Sequence, residues 1–291
     1  MKIELAKSAG FCYGVKRAVE MAEQTAQSGG SVLLGPVIHN DHVVAKLERK
    51  GAVLVHSVEE VPPGSRVILR SHGEARRVHE VLEEKGCQIV DTACPNVQRI
   101  HRLVADAEAA GRQPVIIGTP DHPEIVAIAG WCQHPVVLPD GAALAAWIAE
   151  RPERREMPLT LVSQTTSTRK IWDLAIETAK KECTNAEIFD TICNATYIRQ
   201  TEAQKLAAHC DAMIIIGDRK SSNTKRLSEL CRALCPRVVT IEGAEELEPA
   251  SFAGTASIGI TAGASTPGWI IKEVYDKMSD EIMEIEESFS D

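Results

Sequence analysis

The chain has 291 residues, 44% hydrophobic and 25% charged, an ordinary globular balance and enough chain for two or three compact units. Its net charge of −9 argues against a general binder of nucleic acid or of anionic membranes, so neither is expected as a partner. No apolar run approaches transmembrane length, the opening MKIELAKSAGFCYGV holds no signal-peptide core, and the odd count of nine cysteines fits free thiols in a cytoplasmic setting.

In chain order, KIEL at Lys2–Leu5 reads as a strand running towards Cys12. SVLLG, closing at Gly35, leads to a helix around Asp41–Lys50, then AVLV, RVILR, a helix over Ala75–Lys85, and QIVD running into Cys94. PVIIG, closing at Gly118, leads to a short helix at Glu124–Gly130, then PVVL, LTLV, the helix Arg169–Lys181, and EIFD running into Cys193. MIIIG, closing at Gly217, leads to the helix Thr224–Leu234, then RVVTI, ASIGI and a helix from about Pro267. Short β-rich runs separated by helical patterns indicate parallel sheets. The stretch from Asp280 to Asp291 is acidic and is expected to fray.

This order is a threefold repeat. Cys12, Cys94 and Cys193 open the stretches GFC-YGVKRA, DTAC-PNVQRI and DTIC-NATYIRQ, and a glycine-ended apolar strand follows each after 23, 24 and 24 residues. Repeats at a fixed period decide architecture before local propensity does. The third repeat lacks the strand that should deliver a cysteine, and Lys2–Leu5 supplies it. The expected fold is therefore α/β, a trefoil of three small pseudo-repeated domains with parallel sheets around a central site. Residues 13–94, 95–193 and 194–279 form the repeats, the third is completed by residues 1–12, and residues 280–291 form the acidic tail.

Polar residues recur at matched positions. Four residues beyond the strand-ending glycine lie His39, His122 and Ser221; after a later strand lie His72 in RSHG, Thr165 in VSQTT and Ser265 in ITAGAS. In α/β sheets, ligands bind beyond the carboxyl ends of strands, where helix N-termini favour anions. Imidazole and hydroxyl donors there suit a phosphate or diphosphate.

Each element has a duller explanation. Cys87, Cys132, Cys183 and Cys210 read as buried small hydrophobes, and Cys231 with Cys235 as neighbours packed one helical turn apart. Ser221, Ser222 and Asn223 could simply cap the next helix. His42, His56, His79, His101, His134 and His209 read as satisfied loop histidines, and Glu124 as a favourable first-turn acid. For Cys12, Cys94 and Cys193 the register outweighs such readings, since packing has no reason to select one position three times.

No G-x-G-x-x-G, P-loop or C-x₃-C-x₂-C run occurs. Zinc usually takes closely spaced ligand pairs, whereas these cysteines lie 82 and 99 residues apart. Thiolates favour an iron–sulfur cluster, and three cysteines on four irons leave one iron open.

The stretches AGFCYGVKRAV, GPVIHN, RSHG, VDTACPNV, DHPE, LVSQTT, FDTICNAT, SSNTKRL and TAGASTP, in order from Ile3 to about Val274, resemble the 4-hydroxy-3-methylbut-2-enyl diphosphate reductase (IspH/LytB) family. The resemblance implies a trefoil fold and an oxidoreductase that reductively removes an allylic hydroxyl at the end of the non-mevalonate isoprenoid pathway. It implies one [4Fe-4S] cluster on Cys12, Cys94 and Cys193, and a diphosphate held by His39, His72, His122, Ser221, Ser222, Asn223 and Ser265. It further implies Glu124 as proton source, Thr165 as the residue that positions the hydroxyl, and an electron donor protein such as ferredoxin or flavodoxin. Glu74, Ala127 and Lys220 depart from the commoner family pattern, which bears on loop packing and donor docking. A non-catalytic iron or redox sensor and a structural zinc protein are the competing readings; the sensor leaves Glu124 and Thr165 without a role.

Overall fold

The computed structural model describes residues 1–288. The chain divides into two compact units, one of residues 14–193 and one combining residues 1–13 with the chain from Asn194 onward.

After strand β1 (Lys2–Leu5), the first unit takes up helix α1 (Tyr13–Gln27), β2 (Ser31–Leu34), α2 (Asp41–Arg49), β3 (Val53–Val55), β4 (Arg66–Leu69), α3 (Arg76–Glu84) and β5 (Gln88–Val90). It continues through α4 (Pro95–Ala109), β6 (Gln113–Ile117), α5 (Pro123–Ala129), β7 (Val136–Leu138), α6 (Gly141–Ala149), β8 (Leu159–Ser163), α7 (Arg169–Glu182) and β9 (Ala186–Ile188). Its two sheets run β3-β2-β4-β5 and β7-β6-β8-β9, all parallel. Central strands such as SVLL and LTLVS are predominantly apolar and buried along their whole length, while the three-residue edge strands are partly exposed. Parallel strands covered on both faces require that pattern, and short edges limit further pairing.

The second unit holds α8 (Asn194–Ala207), β10 (Ala212–Ile216), α9 (Ser222–Arg232), β11 (Val238–Ile241), β12 (Ser257–Ala262) and α10 (Gly268–Ser288). Its sheet runs β11-β10-β12-β1, with Lys2 to Leu5 in parallel register against Ser257 to Ile260. Strand β1 therefore takes the edge that β5 and β9 take in the other sheets. Each of these three edge strands runs on to one of the register cysteines.

Three details differ from expectation. Helix α6, unforeseen in GAALAAWIA, is capped by Asp140, whose carboxylate accepts from Ala143 N at 2.9 Å. Its Leu144 and Ile148 pack with Trp172 and Ala175. An alanine-rich helix without a charged face gives little periodic signal, but the Asp cap and the Leu–Ile pair at i,i+4 are legible in retrospect. Helix α10 continues to Ser288 through most of the stretch expected to fray; residues 289–291 lie outside the described residues. His42, His79 and His101 belong to helices α2, α3 and α4, not to loops. No helix among the described residues is long and apolar enough to cross a membrane.

Because Leu144 is fully enclosed under α7, Leu144→Ala should cost about 2–5 kcal/mol of stability by lost burial plus a residual cavity. Urea unfolding followed by tryptophan fluorescence would measure it; a loss within about 0.5 kcal/mol, the size of a surface effect, would mean α6 does not close that core.

Candidate active site

The register cysteines are held by one recurring backbone contact. Cys94 N donates to the Ser71 carbonyl at 3.0 Å, Cys193 N to the Thr165 carbonyl at 3.0 Å, and Cys12 N to the Ala264 carbonyl at 3.4 Å. Within the first unit, Asn96 Nδ2 lies 3.3 Å from the Cys193 sulfur, so that thiol reaches the first turn of α4, the helix that Cys94 precedes. A Cβ on Gly14 would stand 2.5 Å from the Cys94 sulfur, so only glycine lets α1 approach it. Cys12, Cys94 and Cys193 are half-buried and in no disulfide. Cys210, Cys231 and Cys235 lie in a core, and Cys87, Cys132 and Cys183 are half-buried. Burial pushes the Cys132 and Cys231 thiols up to about 12 and Cys210 to about 11, holding them protonated.

The same contacts correct one equivalence. They align Ser71, Thr165 and Ala264, and the next residues are His72, Thr166 and Ser265. The turns that follow agree: Gly73 N bonds to the Arg70 carbonyl, Ser167 N to Gln164, and Thr266 N to Gly263, at 3.0–3.1 Å. Thr165 therefore stands one position before the counterpart of His72 and Ser265.

Three imidazoles meet at strand ends of the first unit. His39 lies between β2 and α2, His72 in the turn after β4, and His122 caps α5 after β6. Ring centroids are 4.7 Å apart for His39–His72, 5.7 Å for His72–His122 and 6.3 Å for His39–His122. His122 Nδ1 accepts from Glu124 N at 3.1 Å, so the neutral ring carries its proton on Nε2. Enclosure of the ring, then the neighbouring His39, His122 and Arg70, push His72 well below the ordinary histidine range. His72 therefore resists protonation until an anion lies against it.

Glu124, in the first turn of α5, is buried with 2% exposure. Thr165 donates to it twice, from its backbone N and from Oγ1, both at 2.6 Å. Burial raises the carboxyl pKa, and the two Thr165 bonds only partly offset the shift. The Thr165 carbonyl holds the Cys193 loop, so one residue joins the buried acid to a register cysteine.

In the second unit, Ser221 caps α9, its hydroxyl accepting from Thr224 N at 3.5 Å, and Ser222 opens the helix. Asn223 is 4% exposed, and neither end of its amide finds a partner among the described residues; Ser265 Oγ is in the same state. A buried amide left unmatched costs about 1–3 kcal/mol, the signature of groups set for a ligand. Both lie at strand ends, Asn223 after β10 and Ser265 after β12, and Ser265 adjoins the carbonyl that holds Cys12.

The three departures have separate settings. Glu74 is buried and ion-paired with Arg70, its carboxyl pushed up by burial against the pull of that guanidinium. Ala127 is buried within α5, and Lys220 is exposed, its N–H bonded to the Asp218 carboxylate at 2.6 Å. Asn96, Gly14 and Glu74 escaped sequence reasoning as parts of the site. Gly14 and Asn96, each two residues after a register cysteine, had a positional hint, and Glu74 stands out in the sequence only as a departure from the family pattern.

Fold and site together define an α/β protein of three like parallel sheets, whose strand ends carry one cysteine per repeat beside histidines and hydroxyls suited to an anion. The profile of the LytB protein family matches residues 3–279, and the chain belongs to that family. It is 39% identical over 280 residues to a 4-hydroxy-3-methylbut-2-enyl diphosphate reductase of Clostridioides difficile, covering 94% of this chain and 98% of that protein. It is 40% identical over 280 residues to the one of Geobacter metallireducens, covering 96% and 97%. A solved structure of (E)-4-hydroxy-3-methyl-but-2-enyl diphosphate reductase, described as the terminal enzyme of the non-mevalonate pathway, superposes with TM-score 0.70 at 36% identity, covering 96% of this chain and all of that one. A solved Plasmodium falciparum reductase gives TM-score 0.88 at 25% identity, covering 94% and 87%.

Inorganic pyrophosphate is expected to bind with proton uptake at His72 as pH falls below the ordinary histidine value of 6.5, because an anion among the imidazoles raises a pKa that the free protein holds low. Calorimetry in buffers of different ionisation enthalpy measures the uptake. It should shrink in His72→Ala, and equal uptake in both proteins would place the anion elsewhere.

Proposed function

We propose that this chain reductively dehydroxylates (E)-4-hydroxy-3-methylbut-2-enyl diphosphate to isopentenyl and dimethylallyl diphosphates, the last step of the non-mevalonate (MEP/DOXP) isoprenoid pathway. One C–O bond breaks, the hydroxyl leaves as water, and two electrons and two protons are consumed. The observation that carries the reading is the buried Glu124 carboxyl, gripped by Thr165 at 2.6 Å from both N and Oγ1, two residues from His122 of the imidazole group. An anion-binding sensor gives that acid no task.

The donor set fits an iron–sulfur cluster: three half-buried cysteines in no disulfide, on matched backbone contacts, one beside a glycine that leaves its sulfur room, another with an amide donor on its sulfur. Cys12, Cys94 and Cys193 would hold one [4Fe-4S] cluster per chain. When bound, it supplies electrons singly and a Lewis-acid iron at the hydroxyl end of the substrate.

The chain's own residues do the rest. His39, His72 and His122 bind the diphosphate, and Ser221, Ser222, Asn223 and Ser265 contribute hydroxyl and amide donors to it. Glu124 holds the proton that converts the departing hydroxyl into water. Its buried carboxyl favours the acid form, and a diphosphate nearby adds like-charge repulsion in the same direction. Thr165 orients the hydroxyl, its Oγ1 too weak an acid to be the source. Electrons come from a small reduced carrier such as ferredoxin or flavodoxin, and cysteines in no disulfide suit a cytoplasmic setting.

Two experiments test this. In Cys94→Ser, iron and labile sulfide after anaerobic purification should fall to a small fraction of wild type, whereas Cys87→Ser should leave them unchanged. One zinc and no labile sulfide in the wild type would overturn the cluster. Glu124→Gln should keep iron content and pyrophosphate affinity yet lose turnover by roughly 10²–10⁴-fold, the usual worth of a general acid. Turnover within a few-fold of wild type under excess reductant would move the proton to His122 or to the substrate phosphate.

A further inference from the structure

At the other end of the second unit's sheet, where strands begin, a separate donor group gathers. Glu4 on β1, His209 and Cys210, just ahead of β10, bring a carboxylate oxygen, a ring nitrogen and a sulfur within 4.8 Å of one another. The three come from chain segments two hundred residues apart, and none serves the site described above.

Each donor atom is left facing the group by its neighbours. His209 Nδ1 lies 2.7 Å from the Lys205 carbonyl, which fixes the proton there and leaves the Nε2 lone pair available in the neutral ring. Lys2 Nζ holds Glu4 Oε1 at 2.8 Å, and Oε2 lies 3.4 Å from His209 Nε2. Cys210 is 5% exposed, its N–H bonded to the Leu206 carbonyl at 2.9 Å, so its position is set by the end of α8.

The sheet sets these segments side by side. Glu4 pairs with Gly259 on β12, and Gly259 pairs with Met213 on β10. A Cβ on Gly259 would sit 2.4 Å from Met213 Sδ and 3.3 Å from Cys210 Sγ. A side chain there would strike Met213 first and crowd the cysteine sulfur second, so the glycine lets Met213 and Cys210 pack together over β12.

We propose that Glu4, His209 and Cys210 form a second metal site, for a zinc-class divalent cation, that ties the N-terminal strand to the start of β10. Ligands on tetrahedral zinc at about 2.0–2.3 Å stand about 3.3–3.8 Å from each other; the 3.4 Å between Oε2 and Nε2 is such an edge, and the wider separations, up to 4.8 Å, would have to close on the metal. A divalent cation would displace the proton that burial keeps on the Cys210 thiol, and thiolate with imidazole selects zinc or cobalt over magnesium or calcium. The exposed His209 leaves the fourth position to water. Among the described residues β1 pairs with β12 alone, and a metal reaching past β12 to Cys210 would add to the bonds by which Arg199 and Glu202 of α8 hold residues 7–10, the segment that runs on to Cys12. The duller reading is a plain imidazolium–carboxylate pair, which gives the third donor no part.

The anaerobic, iron-loaded protein is dialysed against zinc sulfate, and zinc and iron are counted together by mass spectrometry. One zinc per chain should bind with iron unchanged, and the zinc edge spectrum should show one sulfur with nitrogen and oxygen neighbours. His209→Ala and Cys210→Ala should each bind that zinc at least tenfold more weakly while keeping wild-type iron, which also shows that they fold. Zinc should raise Tm in the wild type and not in His209→Ala. Zinc uptake equal in wild type and both variants, no uptake at all, or zinc gained only as iron is lost would each overturn the site. None of these outcomes touches the reductase reading, which is tested at Cys94 and Glu124.

Discussion

A backbone hydrogen bond from each register cysteine to the carbonyl at the end of the neighbouring strand fixes where every other functional group can stand. The donors are Cys12, Cys94 and Cys193, and the acceptors Ala264, Ser71 and Thr165. Because the bond uses only main chain, it constrains the loop and leaves the acceptor's side chain free. The three repeats have used that freedom differently. Alanine and serine serve the backbone role alone, while Thr165 also turns its Oγ1 and N–H onto Glu124. The residue after the acceptor varies likewise, as His72, Thr166 and Ser265. A common scaffold thus carries one acid-gripping position, one imidazole and one hydroxyl.

The first unit sets two opposed electrostatic demands side by side. His72 is held neutral by ring enclosure and by the positive character of its neighbours, so the imidazole group gains by receiving an anion. Glu124 is held towards its neutral acid by burial, so it loses by ionising, and an anion nearby strengthens that preference. One negative ligand therefore satisfies the histidines and keeps the acid loaded. The link between them is short: Glu124 N donates to His122 Nδ1 and aims its Nε2–H away from the helix. Neither demand would survive in open solvent, where hydration of the charged forms removes the burial that causes both shifts.

How much of this could be read from the sequence follows from how many copies of a feature the chain carries. The cysteine register and the replacement of a missing strand by Lys2–Leu5 were legible because backbone architecture repeats, and repetition averages out local noise. The approach of His39, His72 and His122 was legible as an equivalence of strand ends. The one-residue offset of Thr165 was not, since adjacent hydroxyls at Thr165 and Thr166 both satisfy a side-chain comparison and only the carbonyl contacts separate them. Single-copy features left no signal. His101 reads as any histidine, yet it lies in α4 at 4% exposure with its ring stacked on Trp131 at 5.0 Å. Helix α6 was hidden by its alanines, whose propensity is high but whose periodicity is weak.

That buried histidine explains why the His72 turn holds its shape. Gly73, at φ +78°, takes a conformation that side chains rarely adopt, and a Cβ there would meet His101 Cε1 at 2.5 Å. His101 in turn is pressed down to about 4 by burial, with Asp91 pulling the other way, so it packs as a neutral ring against the turn. Trp131, stacked on that ring, donates its Nε1–H to the Glu74 carbonyl at 2.9 Å, and the Glu74 side chain pairs with Arg70 at the near end of the turn. Residues 70–74 are thereby held from both flanks and from beneath. A neutral imidazole that must accept an anion without first moving needs such a floor, because every rotamer it could escape to would be entropy lost on binding.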